Sequence, residues 1–89
     1  MTSFLGGSAY AMATGVAAGF HLVNERTFRS MTRGDLDVFT GELDRHLREV
    51  RAEQPALEDL VAIQHRNRRI QRLNTALMVL RAYRSKFKV

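Results

Sequence analysis

The sequence predicts an all-α protein: a small-residue-rich N-terminal helix followed by an antiparallel hairpin of two amphipathic helices, the second long and basic. Three observations carry this prediction. Residues 4–23 hold no charged side chain. Apolar residues then recur every three or four positions through most of residues 35–87, the period of a helix face. The one proline, Pro55, falls between the two periodic stretches. At 89 residues the chain makes one small domain at most, and a chain this short buries a modest share of its surface, so hairpins and partner-dependent folds are the natural architectures.

The first segment runs from Phe4 to Val23. A helix rising 1.5 Å per residue reaches about 30 Å over this length, the hydrocarbon thickness of a bilayer, and the segment reads as a transmembrane helix. About half of it is Ala, Gly, Ser and Thr, so a helix buried in a soluble oligomer is the alternative. Ala11, Gly15 and Gly19 repeat at spacing four and form a small-xxx-small face, which lets another helix approach closely. Met1-Thr2-Ser3 lacks the basic residues of a signal peptide, whereas Arg26, Arg29 and Arg33 follow the apolar run. The expected topology is therefore an uncleaved single-pass anchor, with the N-terminus outside and the C-terminal two-thirds on the cytosolic or matrix side.

Residues 24–34 lack sustained periodicity and read as a connector. Thr32 and Asp35 stand at capping-box spacing and mark the start of the next helix, expected over 35–53. Its apolar stripe is Leu36, Phe39, Leu43, Leu47 and Val50, with Glu42/Arg45 and Asp44/Arg48 at contact spacing on the polar side. Pro55 suits a first helical turn, where its missing N–H has no partner to lose, so the last helix is expected over 55–87. Ile63, Ile70, Leu73, Leu77 and Leu80 approach a heptad and predict coiled-coil-like pairing with the preceding helix. Because that helix is the shorter one, the C-terminal end of the last helix is expected to be uncovered, leaving Leu77, Met78, Val79, Leu80, Tyr83 and Phe87 to find other company.

Charge is distributed unevenly. Residues 1–59 carry six arginines against nine acids, whereas residues 60–89 carry eight Lys/Arg and no acid, for a formal net charge of +5. A block of that kind seeks a polyanion. The residues expected to face it are Arg68, Arg69, Arg72, Arg81, Arg84, Lys86 and Lys88. Arg66 lies in line with the apolar stripe instead, and is expected to bury its stem and pair with Glu42 or Asp44.

Nothing in the chain spells out chemistry. Without cysteine there are no disulfides, thiolate ligands or cysteine nucleophiles. His21, His46 and His65 are not at the i, i+4 spacing of a helical metal pair, although His46 and His65 stand where the expected hairpin brings them near each other. No serine or threonine sits in a nucleophile motif, and the glycines do not form a phosphate loop. The reading is a non-enzymatic protein without cofactor or metal. It is expected to be a single-span accessory or assembly subunit of a larger complex in the mitochondrial inner membrane or a bacterial membrane. Its partners would be other, membrane-embedded subunits, anionic lipid headgroups and further copies of itself. The alternative is a soluble intracellular helical interaction module whose basic C-terminal helix binds nucleic acid or an acidic protein.

Overall fold

The computed structural model describes residues 4–89 and contains four helices and no strand among them. In chain order they are α1 (Ala9–Ala18), α2 (Glu25–Arg29), α3 (Arg33–Ala52) and α4 (Leu60–Phe87). α4 sets the long dimension of the molecule: its 28 residues rise about 42 Å, against a principal extent of 44 Å.

The N-terminal segment departs from the expected span. Its helix covers ten residues, not twenty, and no helix among the described residues is long and apolar enough to cross a membrane. Both of its ends are determined locally. Gly6 and Gly7 have φ of 85° and 96°, a left-handed backbone that no helix continues through, and the Ser8 side chain then accepts from Ala11 N–H as an N-cap. At the other end Gly19 turns left-handed at φ 87°. Gly19 N–H donates to the Val16 carbonyl and Phe20 N–H to the Gly15 carbonyl, at 3.1 and 2.8 Å, the paired bonds of a Schellman stop. Absence of charge made the segment look continuous; the glycines interrupt it.

The connector contains a helix of its own. Asn24 caps α2, and Thr27 returns the bond in a capping box. This turn places Phe28 in the core, fully buried between Phe39 of α3 and Tyr83 of α4, at ring-centroid distances of 6.4 and 5.5 Å. A five-residue helix has no independent stability, so packing of that ring sustains it.

α3 begins where the capping box predicts. Thr32 N–H donates to the Asp35 carboxylate at 3.0 Å, and Asp35 N–H to the Thr32 hydroxyl at 3.1 Å. The stripe Leu36, Phe39, Leu43, Leu47 and Val50 is buried along its whole length, joined by His46. α4 starts later than Pro55 suggests: residues 53–59 form the link, and Asp59 caps the helix by accepting from Ala62 N–H.

α3 and α4 form an antiparallel helical hairpin. Three ion pairs mark its register: Glu53 with Arg69, Asp44 with Arg81, and Asp37 with Arg84. The end of α3 thus lies beside residues 66–69, and the first two turns of α4 extend past it. The uncovered end of α4 is therefore its N-terminal one, opposite to the expectation from helix lengths. Leu73, Ala76, Leu77 and Leu80 are buried, Ile70 is half-buried against them, and Ile63 lies beyond the end of α3, half-buried. Ala76 is absent from the heptad stripe; it is buried because α1 packs into the hairpin from that side, with Met12, Ala13, Val16 and Ala17 in the shared core. The core is a seam of three helices closed at one end by Phe28.

Candidate interaction surface

The small-xxx-small face does not meet a foreign helix in this chain. Ala11 is half-buried under the N-terminal turn, close to Gly6. Gly15 is buried, and the space a Cβ would take there is filled by the imidazole of His21. Gly19 is exposed at the helix stop, and a Cβ on it would stand 2.9 Å from the guanidinium carbon of Arg72. The three small residues therefore serve close approaches within the protein. Arg72 crosses from α4, lies against Gly19 and donates to the Ala17 carbonyl at 3.1 Å, where a cation complements the negative end of α1.

Most of the residues expected to face an anion have intramolecular acceptors. Arg69 grips Glu53 with two hydrogen bonds of 2.9 and 2.6 Å. This contact holds the Glu53 carboxyl below its ordinary pKa of 4.5. Arg84 donates to Asp37 at 2.6 Å, Lys86 to Glu25 at 3.1 Å, and Arg81 lies 3.8 Å from Asp44. Lys88 forms the left-handed C-cap of α4. Arg68 alone among the arginines of α4 has neither a carboxylate nor a carbonyl partner among the described residues. Four of the nine acids that precede α4 in sequence, Glu25, Asp37, Asp44 and Glu53, are folded back along it, which neutralises part of the apparent polycationic face.

Arg66 is half-buried and pairs differently from the expectation. It donates to the Glu53 carbonyl at 2.8 Å and the Arg51 carbonyl at 2.9 Å, satisfying orphan acceptors at the end of α3 rather than Glu42 or Asp44. His46 and His65 are not brought together. His46 turns to α1, stacks on Tyr10 at 4.9 Å and meets the Thr14 hydroxyl at 3.4 Å. That hydroxyl also donates to the Tyr10 carbonyl at 2.9 Å.

The surface that remains is a cleft between the α1–α2 link and α4, with a volume of about 280 Å³. Val16, Leu22, Val23, Ala76 and Val79 supply its apolar walls, with Gln71, Arg72 and Thr75 along the α4 side. Beside it stand Phe20 and Leu22, 83% and 90% exposed. The exposure of Phe20 has a local cause. In a Schellman stop the residue after the glycine usually packs back on the residue four positions before that glycine. Here that residue is Gly15, whose space is taken by His21, so Phe20 is turned outward while its own N–H stays bonded to Gly15. His21 N–H bonds the same carbonyl at 3.3 Å and keeps the link close to the helix end. Also on α4, Met78 is 70% exposed.

Of the cleft residues, Gly19, His21, Arg72 and Val79 stood out in the sequence, each for a different reason, and nothing there joined them into one surface. Phe20 and Leu22 read as members of a lipid-facing run. The available signal was Gly19 followed by an apolar residue, which is a helix-stop pattern as readily as part of a glycine ridge. The fold and its surface thus define a small all-α protein with a fixed apolar protrusion beside a shallow cleft. Comparison with protein-family models, with curated proteins and with solved structures finds no match.

Proposed function

We propose that this protein is a non-enzymatic accessory or assembly subunit that docks on another protein through the cleft and the Phe20–Leu22 protrusion. One observation carries the reading: two large apolar side chains are held in solvent by a hydrogen-bonded helix stop, immediately beside an apolar cleft. Scattered exposed hydrophobics need no explanation, but a contiguous patch of this kind marks an interaction surface. Burying both side chains contributes about 3–6 kcal/mol to a complex before the cost of association is met. That is enough for the pair to act as an anchor, with Met78 and Val79 widening the contact and the surrounding polar residues forming its rim.

The proposal differs from the sequence reading in how a membrane enters. It requires no span and no glycine ridge. Attachment to a membrane complex, whether of the mitochondrial inner membrane or a bacterial membrane, goes through the partner subunit. The basic helix supports a nucleic-acid role less than its composition suggests, because Arg69, Arg72, Arg81, Arg84 and Lys86 already have acceptors within the chain.

The test is the double variant Phe20→Ser/Leu22→Ser, expressed as a tagged chain in the native host and followed on native gels. Helicity and thermal midpoint should match the wild type, since neither side chain is in the core, while co-migration with a larger complex is lost. Retention of the variant in the complex, or a wild-type chain that migrates free, overturns the proposal. Alkaline carbonate extraction adds a second arm: a chain attached through its partner is released, and one that resists extraction contradicts the docking route described here.

A further inference from the structure

The cleft carries positive charge and no negative charge. Its walls come from α1, the link over residues 19–24 and α4, and none of the three contains an aspartate or glutamate. Arg72 is the one formal charge in the lining. Glu25, the acid that follows the link in the chain, already meets Lys86 at 3.1 Å and Arg29 at 3.9 Å. Arg68 stands one turn before Arg72 on the same face of α4, and that face continues through Thr75 and Val79 of the cleft. Two like charges at this spacing repel. Elsewhere on α4 the chain sets a carboxylate against Arg69, Arg81, Arg84 and Lys86, whereas here it sets none.

Arg72 is fixed at the cleft wall. It is half-buried, donates to the Ala17 carbonyl at 3.1 Å and lies against Gly19. That bond engages one of the five N–H donors of a guanidinium. A partner that fills the cleft takes water away from the other donors, and a desolvated cation without an acceptor opposes binding strongly. A carboxylate removes the opposition, because a guanidinium receives it through two parallel N–H···O bonds. The cleft volume of about 280 Å³ falls just under the ~300–1,000 Å³ of drug-sized ligand sites and suits one or two side chains of a protein segment. Given docking at the cleft, on which this inference rests, we propose that the docking segment of the partner is acidic as well as apolar. It seats an apolar side chain between Leu22 and Val79 and sets Asp or Glu against Arg68 and Arg72. At 1.5 Å per residue along α4, the anchor and the carboxylates stand roughly 10–17 Å apart.

The experiment is carbodiimide coupling of the full-length Arg68→Lys chain in its native complex, read by mass spectrometry of the crosslinked peptides. Carbodiimide joins an amine only to a carboxylate in direct contact. The amine introduced at position 68 should be found joined to an Asp or Glu of another chain, while the Lys86–Glu25 pair reports that coupling has taken place. Arg68→Glu should lower the share of the chain held in the complex several-fold, and more at low salt than at high. Its helicity is unchanged, since Arg68 is exposed. The proposal is overturned if Lys86 couples to Glu25 while position 68 couples to nothing or only to its own chain. Retention of Arg68→Glu at the wild-type level overturns it too, as does release of the wild type by nuclease, which assigns the arginines to nucleic acid. The docking reading itself fails on a different result, retention of Phe20→Ser/Leu22→Ser. With that variant lost and Arg68→Glu retained, docking stands and only the acidic partner is refuted.

Discussion

Replacing Phe28 by alanine tests whether α2 is a structural member or a strap between α1 and α3. The ring is fully buried and contacts Phe39 and Tyr83, so its removal deletes a large apolar side chain at the point where three helices meet. Phe→Ala at such sites costs about 3–5 kcal/mol through lost transfer energy and the cavity left behind. At roughly 0.05–0.15 kcal/mol per residue, an 89-residue chain has only about 4–13 kcal/mol of total stability. The substitution therefore removes between about a quarter and all of it. In urea, with a slope of about 1 kcal/mol per molar for a domain this small, the midpoint should fall by about 3 M, or the chain should be unfolded in buffer. Phe20→Ala supplies the control: the same residue type eight positions away, but 83% exposed, should change stability by no more than about 0.5 kcal/mol. A Phe28→Ala midpoint within about 1 M of wild type, at unchanged slope, would show that α2 does not close the core.

Two further substitutions probe the devices that shape the surface. Gly19→Ala forces a Cβ into a left-handed position and against the Arg72 guanidinium; a loss of about 1–2 kcal/mol, or several degrees or more in thermal midpoint, is expected, and a neutral result would mean that α1 does not stop there. Glu53→Gln removes the carboxylate held by Arg69. Because the folded-state pKa is depressed, this pair contributes stability above pH 4.5 that is lost as pH falls through the folded value, so wild type and variant should converge in acid. Both groups are solvent-accessible, so the difference near neutrality is only about 0.2–1 kcal/mol. A gap that stays constant from neutrality into acid refutes the assignment.

Local patterns carried much of the fold. The period of Leu36, Phe39, Leu43, Leu47 and Val50 matches the buried face of α3, and the Thr32/Asp35 spacing matches its capping box, because both depend on neighbours within one or two turns. The same period on α4 points to Leu73, Leu77 and Leu80 but misses Ala76, whose burial depends on α1 packing from another side. Phe28 was illegible for a related reason: one apolar residue has no period, and its value as a core residue appears only when α3 and α4 supply a site for its ring.

The candidate surface was harder to read because it is made of exceptions. Ala11, Gly15 and Gly19 do occur at the spacing of a helix-packing face. Sequence alone cannot say whether the vacant Cβ positions admit a foreign backbone, an imidazole or a guanidinium, and the last two occupy Gly15 and Gly19 here. Arg68, Arg69, Arg72, Arg81, Arg84, Lys86 and Lys88 were equally visible as charges, but the partners of Arg69, Arg72, Arg81, Arg84 and Lys86 lie between 16 and 61 positions away. Covalent order separates acids from bases, and antiparallel folding reunites them.

By itself, then, the chain determined helix type, the face each long helix buries and the cap of α3, all properties set over a few residues by backbone geometry and side-chain period. Tertiary structure decided which end of α4 stays uncovered, which cations are neutralised, and that the charge-free segment is a ten-residue core helix with Phe20 and Leu22 turned outward. Those outcomes depend on contacts between elements distant in sequence, and on His21 and Arg72 filling space that glycine merely leaves open.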